Sequence, residues 1–230
     1  MNIWQKFWEQ FYTFKGYEKV LSGLGNTLLI AAIGLIIGMI IGSLIAAVKV
    51  AGTRNTVAKI FSVIGDIYVA LFRGTPIVVQ LLVFYYILFP LMNINLDGLF
   101  VAIIAYGFNS GAYVSEIMRG GINSIDIGQT EAGRCLGLSF SATMFKIVLP
   151  QAVKNVLPTL GNELIALVKD TSVVGFVATT DLTLAFRSIA SANYEYIVPY
   201  LVLALCYLVI VLLFTVLIRL MEKGLKRSER

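Results

Sequence analysis

The sequence contains no histidine and few charged residues. None of its 230 residues is histidine, 13% are charged, and only two are cysteine. The absence of histidine excludes His-based acid–base catalysis and removes the commonest metal ligand, and Cys135 and Cys206 do not have the spacing of a metal site. Soluble domains are about 25% charged. With 58% hydrophobic residues and a mean hydropathy of +0.86, the composition excludes a soluble enzyme, a disordered chain and a disulfide scaffold, and it indicates a polytopic membrane protein.

Five stretches are long and apolar enough to cross a bilayer, which takes about 20 mostly apolar residues per helix. They predict an all-α membrane protein with about five transmembrane helices within residues 21–220. Gly74-Thr75-Pro76 lies inside the second stretch, and since proline removes a helix hydrogen bond we expect a kink or a break there. The stretches are residues 24–48, 60–90, 98–118, 153–179 and 196–218.

Residues 1–20 carry aromatic side chains at helical spacing. Such a pattern, with Lys and Glu at the other positions, is typical of an amphipathic helix that lies at the level of the lipid headgroups. We therefore predict an N-terminal interfacial segment. The aromatic residues are Trp4, Phe7, Trp8, Phe11, Tyr12 and Phe14.

Lysine and arginine are concentrated in three segments, and cations of this kind mark cytoplasmic loops. The rule places these segments in the cytoplasm and the N-terminus outside. The segments are residues 49–59, with Lys49, Arg54 and Lys59, the loop at about 119–152, and the basic tail at 221–230.

The first stretch contains small residues at intervals of four, namely Gly34, Gly38, Gly42 and Ala46. A ridge of this kind lets a second helix approach closely. It predicts either a packing face within the chain or a contact with another subunit.

The loop at about 119–152 has the character of a docking element. Two short helical pieces are separated at Gly137, where a sharp turn is easy without a Cβ. Apolar residues such as Ala132, Leu136 and Leu138 lie among charged ones, and an apolar patch rimmed by charge is typical of a contact with a partner protein. The alternative is a loop packed on its own helix bundle.

Several motifs resemble those of one family. Glu131-Ala132 with Gly137, followed by residues 147–150, is similar to the "EAA" coupling loop of binding-protein-dependent ABC transporter permeases. Gly133 departs from that motif, since it stands where a second alanine is usual, and glycine makes a helix less rigid. Other motifs resemble the polar amino-acid uptake branch, so that the resemblance extends over about residues 23–218. They are residues 73–76 with 79–82, 112–122, 149–152 and 169–172.

The resemblance implies the type I ABC importer permease fold, functional as a dimer with a second copy or a paralogue. It implies a multi-pass protein of the bacterial cytoplasmic membrane that receives a polar amino acid from an extracytoplasmic binding protein and is not an enzyme. ATP and Mg²⁺ would bind a separate cytoplasmic ATPase dimer, because this chain has no G-x-x-x-x-G-K-[ST] motif. This chain itself would bind no cofactor, metal or nucleic acid. The ATPase-coupling residues would be Glu131, Ala132, Gly133, Gly137 and Leu138.

Polar residues inside the apolar stretches are costly and therefore indicate a functional site. The fourth stretch has a polar stripe on one helical face, which should border a bundle interior or a wet cavity. The stripe consists of Asn155, Thr159, Asn162, Glu163, Ala166 and Asp170.

Carboxylates in or near the stretches outnumber cations by four (Asp66, Glu116, Glu163, Asp170) to two (Arg73, Lys169). This balance favours a basic amino acid as substrate. Structural roles remain alternatives: a salt bridge for Asp66 and Glu116, an anchor at the helix break for Arg73, and an ion pair for Lys169. The predicted substrate-binding residues are Glu163, Asn162, Asp66, Asn109, Tyr113, Glu116, Asp170 and Gly74.

Three other functions compete with an importer of basic amino acids. An importer of neutral or acidic polar amino acids would use the same mechanism, because every amino acid has an α-ammonium group. An ion-coupled secondary transporter or a channel also has acids within the membrane, but it needs no docking loop. A membrane enzyme has the least support, since no catalytic constellation is present.

Overall fold

A computed structural model describes residues 2–51 and 56–227 of the chain, and within these ranges the protein is helical with no strands. Arg54 of the first basic segment and residues 228–230 of the basic tail lie outside the described residues. The helices are α1 (Ile3–Trp8), α2 (Gly16–Ala51), α3 (Thr56–Gly74), α4 (Ile77–Val83), α5 (Phe89–Leu91), α6 (Gly98–Asn123), α7 (Ile127–Cys135), α8 (Phe140–Thr143), α9 (Leu149–Asp170), α10 (Leu182–Asn193) and α11 (Ile197–Arg227).

The described helices are long and apolar enough for three to five membrane spans. Helices α2, α6 and α11 each qualify alone. Two bent pairs complete the set: α3 with α4 and α5, bent by 108°, and the segment from α8 to Val177 with α10, bent by 54°. The all-α, multi-pass architecture predicted from the hydropathy is confirmed, although no stretch predicted α10 as a separate helix.

The second span is broken at the predicted position. Helix α3 ends at Gly74, Pro76 has an extended conformation with φ −64° and ψ 140°, and α4 begins at Ile77. Proline disfavours a helical conformation for the residue before it and donates no hydrogen bond of its own. The chain therefore changes direction there instead of continuing as one helix.

The glycine ridge of α2 packs on α6 within the same chain. A Cβ added at Gly38 would lie 2.6 Å from Ser110 Oγ, and one added at Gly42 would lie 2.7 Å from the Ser115 nitrogen. Gly34 lies equally against Tyr106, where an added Cβ would be 3.2 Å from the Tyr106 Cβ. Of the two alternatives for the ridge, the structure shows the packing face, and any larger residue would push α6 away.

The N-terminal segment forms a short helix with a buried side and an exposed side. Phe7 is buried against Leu182, Phe186 and Val198 of the α10–α11 region. Trp4, Trp8 and Tyr12 remain exposed, and the Trp8 and Tyr12 rings stack with centroids 5.2 Å apart. The amphipathic helix predicted here is present, and its position at the headgroups stays a prediction.

Candidate functional site

The polar stripe of α9 lies on the open side of that helix. Asn155, Thr159, Asn162 and Asp170 are exposed, and Glu163 and Ala166 are half-buried. The opposite side packs into the protein through Ala152, Val156, Leu160, Leu167 and Val168, which are buried. The 3.6-residue period of the helix separates the two sides, so the stripe predicted from the spacing is a continuous polar face on the surface of the single chain.

Glu163 occupies the middle of this face. Its Oε1 accepts a hydrogen bond of 3.1 Å from the hydroxyl of Ser110, which is fully buried on α6. No hydrogen bond or ion pair from the described ranges reaches Oε2. Within the part of the chain that the structure describes, the carboxylate is therefore held by one of its two oxygens. Asn162, the preceding residue, is exposed.

Asp170 lies at the end of α9, where the chain tightens into a 3-10 turn at Thr171–Val177. The hydroxyl of Tyr106 donates to the backbone carbonyl of Asp170 at 2.6 Å. The Asp170 and Lys169 residues are exposed, and within the described ranges no carboxylate forms an ion pair with Lys169. The alternative that pairs Lys169 with an acid from another described helix thus finds no support.

The break in the second span is closed by side chains that replace a missing backbone donor. Pro76 has no N–H to offer the carbonyl of Phe72, four residues earlier, and the Nε2 of Gln80 donates to that carbonyl at 2.8 Å. Gln80 also donates to the carbonyl and the hydroxyl of Thr75, both at 2.9 Å. Asn109 Nδ2 in turn donates to Gln80 Oε1 at 2.9 Å, and more weakly to the Phe72 carbonyl at 3.4 Å.

Asn109 and Gly74, both predicted to bind substrate, therefore meet the break in different ways. Asn109 is buried, 6% exposed, and its amide nitrogen is used within the network that closes the break. Gly74 is exposed, and no atom lies within 4 Å of the place where a Cβ would be. The guanidinium of Arg73 beside it lies 5.4 Å from the ring centre of Tyr113, which is 37% exposed. Such a cation–π contact agrees with an anchoring role for Arg73.

Asp66 and Glu116 are joined in one ion cluster. The ammonium of Lys49 on α2 lies 2.8 Å from Asp66 Oδ1 on α3 and 3.3 Å from Glu116 Oε1 on α6, and Arg119 lies 2.6 Å from Glu116 Oε2. Lys49 is only 11% exposed, so it ties three helices together at one end of the bundle. This geometry favours the structural salt bridge over substrate contact for these two acids.

A cavity of about 630 Å³ opens next to the stripe at the same end of the bundle. It lies between α6, α9 and α11, and its volume is in the range typical of small-molecule sites. Its polar lining residues are Glu116, Ser124, Lys154, Asn155, Thr159 and Glu222.

The loop at about 119–152, called the docking loop below, has the predicted two-part form. Helix α7 ends in a Schellman motif, with hydrogen bonds of 3.0 Å from Gly137 N to the Arg134 carbonyl and 3.1 Å from Leu138 N to the Gly133 carbonyl. Gly137 adopts φ +80°, which glycine reaches without strain. Glu131 and Ala132 are exposed, Leu138 is half-buried, and Leu136 is 81% exposed. The loop thus presents both charge and apolar surface outward.

Gly133 is the one buried coupling candidate. A Cβ there would lie 2.7 Å from Thr143 Cγ2 and 3.1 Å from Ile147 Cδ1. The glycine lets α7 pack closely on the second half of the loop. Its departure from the family motif is therefore matched by local packing, and it does not by itself loosen the loop.

The sequence gives no sign that Ser110 and Tyr106 are partners of the candidate site, and Gln80 was recognised only as a polar residue of the second stretch. A serine hydroxyl in an apolar helix ordinarily bonds a carbonyl of its own helix. Only the three-dimensional contacts show that the hydroxyls of Ser110 and Tyr106 both reach α9. Gln80 does carry a local signal, since its position four residues after Pro76 suits it to cover the break.

Comparison with known proteins agrees with this architecture. The sequence profile of the family described as "Binding-protein-dependent transport system inner membrane component" matches residues 34–227. The arginine transport system permease protein ArtQ of Bacillus subtilis is 38% identical over 210 residues, 91% of this chain and 94% of that protein. A protein named as the putative glutamine transport system permease GlnP of Rickettsia typhi is 37% identical over 215 residues, 92% of this chain and 96% of that protein.

Solved structures are similar over nearly the whole chain. A crystal structure of an amino acid ABC transporter with histidines aligns with a TM-score of 0.82 at 35% identity, covering 92% of this chain and 96% of that one. An inward-facing MetNI methionine ABC transporter aligns with a TM-score of 0.68 at 19% identity, covering 91% and 95% of the two chains, which supports the fold alone.

Proposed function

The chain belongs to the inner-membrane components of binding-protein-dependent transport systems and is a permease of an amino-acid ABC importer, and we propose that it carries a basic amino acid past Glu163. We further propose that a separate cytoplasmic ATPase dimer drives it through the loop at 119–152, and that an extracytoplasmic binding protein delivers the substrate. In this arrangement the N-terminus lies outside the bacterial cytoplasmic membrane and the C-terminus inside.

The open polar face of α9 supports a dimer with a shared solute path. A half-buried carboxylate and several amides on a helix at membrane depth are costly against lipid tails, and such residues face a bundle interior or a water-filled cavity. Among residues 2–51 and 56–227 no helix covers the exposed residues of this face. A second permease subunit, whether a copy or a paralogue, would close it into a cavity, and the space lined by Asn155 and Thr159 would continue that path.

Glu163 is the observation that carries the substrate class. Asp66 and Glu116 have Lys49 and Arg119 as partners, so neither adds free negative charge to the path. Lys169 and Asp170 are neighbours in sequence and form no ion pair with each other, but their formal charges sum to zero. The half-buried carboxylate of Glu163, with Oε2 open, is then the group able to attract a cationic side chain in a region of low dielectric constant.

An importer of neutral or acidic amino acids is the second candidate. The relatives named above include both an arginine and a glutamine permease. In that case Glu163 would bind the α-ammonium group that all amino acids share. The two functions differ in one measurable respect: only a basic substrate loses affinity selectively when this carboxylate is neutralised.

The docking loop supports the separate motor. Its exposed surface joins the Glu131 carboxylate to the apolar side chains of Leu136 and Phe145, which are 81% and 69% exposed. An apolar patch of this kind beside charge suits insertion into a groove of another protein. The rigid turn at Gly137 would transmit the movement of that protein to α9.

The test is uptake by the complete transporter in proteoliposomes with Glu163→Gln in this chain. We expect the KM for arginine to rise about tenfold, equal to about 1.4 kcal/mol, and the KM for glutamine to change little. Glu18→Gln is the matched control, because Glu18 is an exposed carboxylate whose ion pair with Lys15 at 3.4 Å is worth little. Equal losses for arginine and glutamine would favour the neutral candidate, and unchanged uptake of both would remove Glu163 from the substrate path.

A further inference from the structure

Ser110 lies at the meeting point of three helices. Its side chain is fully buried on α6, with α2 on one side and the Glu163 carboxylate of α9 on the other. A Cβ at Gly38 of α2 would lie 2.6 Å from Ser110 Oγ, so the absence of a side chain at Gly38 makes room for this hydroxyl. The layer Gly38–Ser110–Glu163 joins the packing ridge of the first span to the polar face of the fourth.

The Ser110 hydroxyl departs from the usual behaviour of a serine inside a helix. Serine hydroxyls in apolar helices ordinarily bond a carbonyl three or four residues earlier. Ser115, five residues further along α6 and equally buried, does so, with a hydrogen bond of 2.8 Å to the Ala112 carbonyl. Ser110 instead donates at 3.1 Å to a carboxylate on another helix. The two serines thus share a helix and a burial but differ in the partner.

A second contact sets the register of α9 on α6. The Tyr106 hydroxyl, one turn before Ser110, donates at 2.6 Å to the backbone carbonyl of Asp170. Four residues on α6 and seven on α9 separate the two contacts, and at 1.5 Å per residue these are about 6 Å and about 10.5 Å. Tyr106 has the longer side chain and reaches the more distant of the two acceptors. Together the two hydroxyls hold α9 with its polar face outward.

We propose that Ser110 is a positioning residue for substrate recognition: its hydroxyl holds Oε1 of Glu163, which fixes the carboxylate and directs Oε2 toward the substrate. This inference rests on the proposed role of Glu163. A carboxylate held by a hydrogen bond from a buried hydroxyl, here 3.1 Å long, has already lost side-chain freedom before the substrate binds, and such preorganisation improves affinity. Gly38 contributes to this arrangement, because any side chain at that position would displace Ser110.

The experiment measures arginine uptake by the complete transporter with Ser110→Ala, Glu163→Gln and both changes together. We expect Ser110→Ala to raise the KM about tenfold, equal to about 1.4 kcal/mol, with little change in the maximal rate. In the Glu163→Gln background Ser110→Ala should add less than about twofold, because two residues that act through one contact are not additive. Ser115→Ala, the matched control, should leave the KM unchanged.

The outcomes separate this inference from the proposed function. An unchanged KM in Ser110→Ala, with a raised KM in Glu163→Gln, would overturn the positioning role and leave the proposed function standing. An unchanged KM in Glu163→Gln would overturn both. Fold-changes that multiply in the double variant would show that Ser110 acts independently of Glu163, which also overturns the inference. Ser110→Cys keeps one side-chain atom beyond Cβ, slightly larger than oxygen and a weaker donor, so an unchanged KM in that variant overturns the positioning role if the alanine variant does not assemble.

Discussion

We expect the side chain of Gln80 to contribute more to the stability of this permease than most other single side chains. Gln80→Leu removes the amide Nε2, whose two N–H groups are shared among the Phe72 carbonyl and two oxygens of Thr75, and the Oε1 that accepts from Asn109. The Phe72 carbonyl is then left with Asn109 at 3.4 Å, and Pro76 has no N–H to replace the loss. The change therefore breaks the network in a buried part of the chain, where Gln80 is 7% exposed.

The size of the effect follows from the groups left without partners. A buried polar group that loses its hydrogen bond costs about 1–3 kcal/mol, and here the buried Phe72 carbonyl and the buried Asn109 amide lose their main partner, Gln80. Burial of a leucine side chain returns up to about 2 kcal/mol. We expect the free energy of unfolding to fall by about 2–4 kcal/mol.

Denaturant titration of the purified complex in detergent measures this loss. Gln151→Leu is the matched control: that half-buried glutamine also donates two hydrogen bonds, at 2.8 Å to the Ile147 carbonyl and 3.3 Å to Gln129, but it lies away from the helix break. It should cost less than about 1 kcal/mol. If the two variants were equally stable, the conclusion that Gln80 replaces the missing donor of Pro76 would be refuted.

Two further predictions concern the docking loop. Gly137→Val should lower the free energy of unfolding by about 1–2 kcal/mol, because φ is +80° at this position. In the complete transporter, Gly137→Val and Glu131→Arg should each lower both substrate-stimulated ATP hydrolysis and uptake. Normal uptake in both variants would argue against the coupling role. Gly133→Ala should lower the thermal midpoint of unfolding, since the added Cβ would lie 2.7 Å from Thr143 Cγ2. The double variant Gly133→Ala with Thr143→Ala should lose at least about 1 kcal/mol less free energy of unfolding than the sum of the two single losses. Additive losses would contradict the packing explanation for Gly133.

The features predicted correctly from the sequence have local causes. The break at Gly74-Thr75-Pro76 follows from proline geometry, and the turn at Gly137 follows from the one residue type that accepts a positive φ without strain. The polar face of α9 follows from helical periodicity alone. None of these depends on where the rest of the chain lies.

The roles of the charged residues could not be predicted in the same way. The count of charged residues placed Asp66 and Glu116 among the acids of a substrate path. In the structure both form ion pairs with Lys49, which lies 17 positions before Asp66 and 67 before Glu116. Asn109 was predicted to bind substrate, and the structure shows that its amide nitrogen donates to Gln80 at the helix break. Spacing shows which residues share a face of one helix, but it does not show which helix that face meets.

By itself, the sequence determined that this chain is a helical membrane protein, where its second span breaks, and which loop carries the family's coupling motif, because hydropathy and backbone preference act over a few residues. Only the tertiary structure decided which acids remain without a cation. In a medium of low dielectric constant a charge is governed by its nearest partners, and these come from helices far apart in sequence. The glycines of α2 bring α6 close, α6 holds α9, and Glu163 on α9 is left with one serine and an open oxygen.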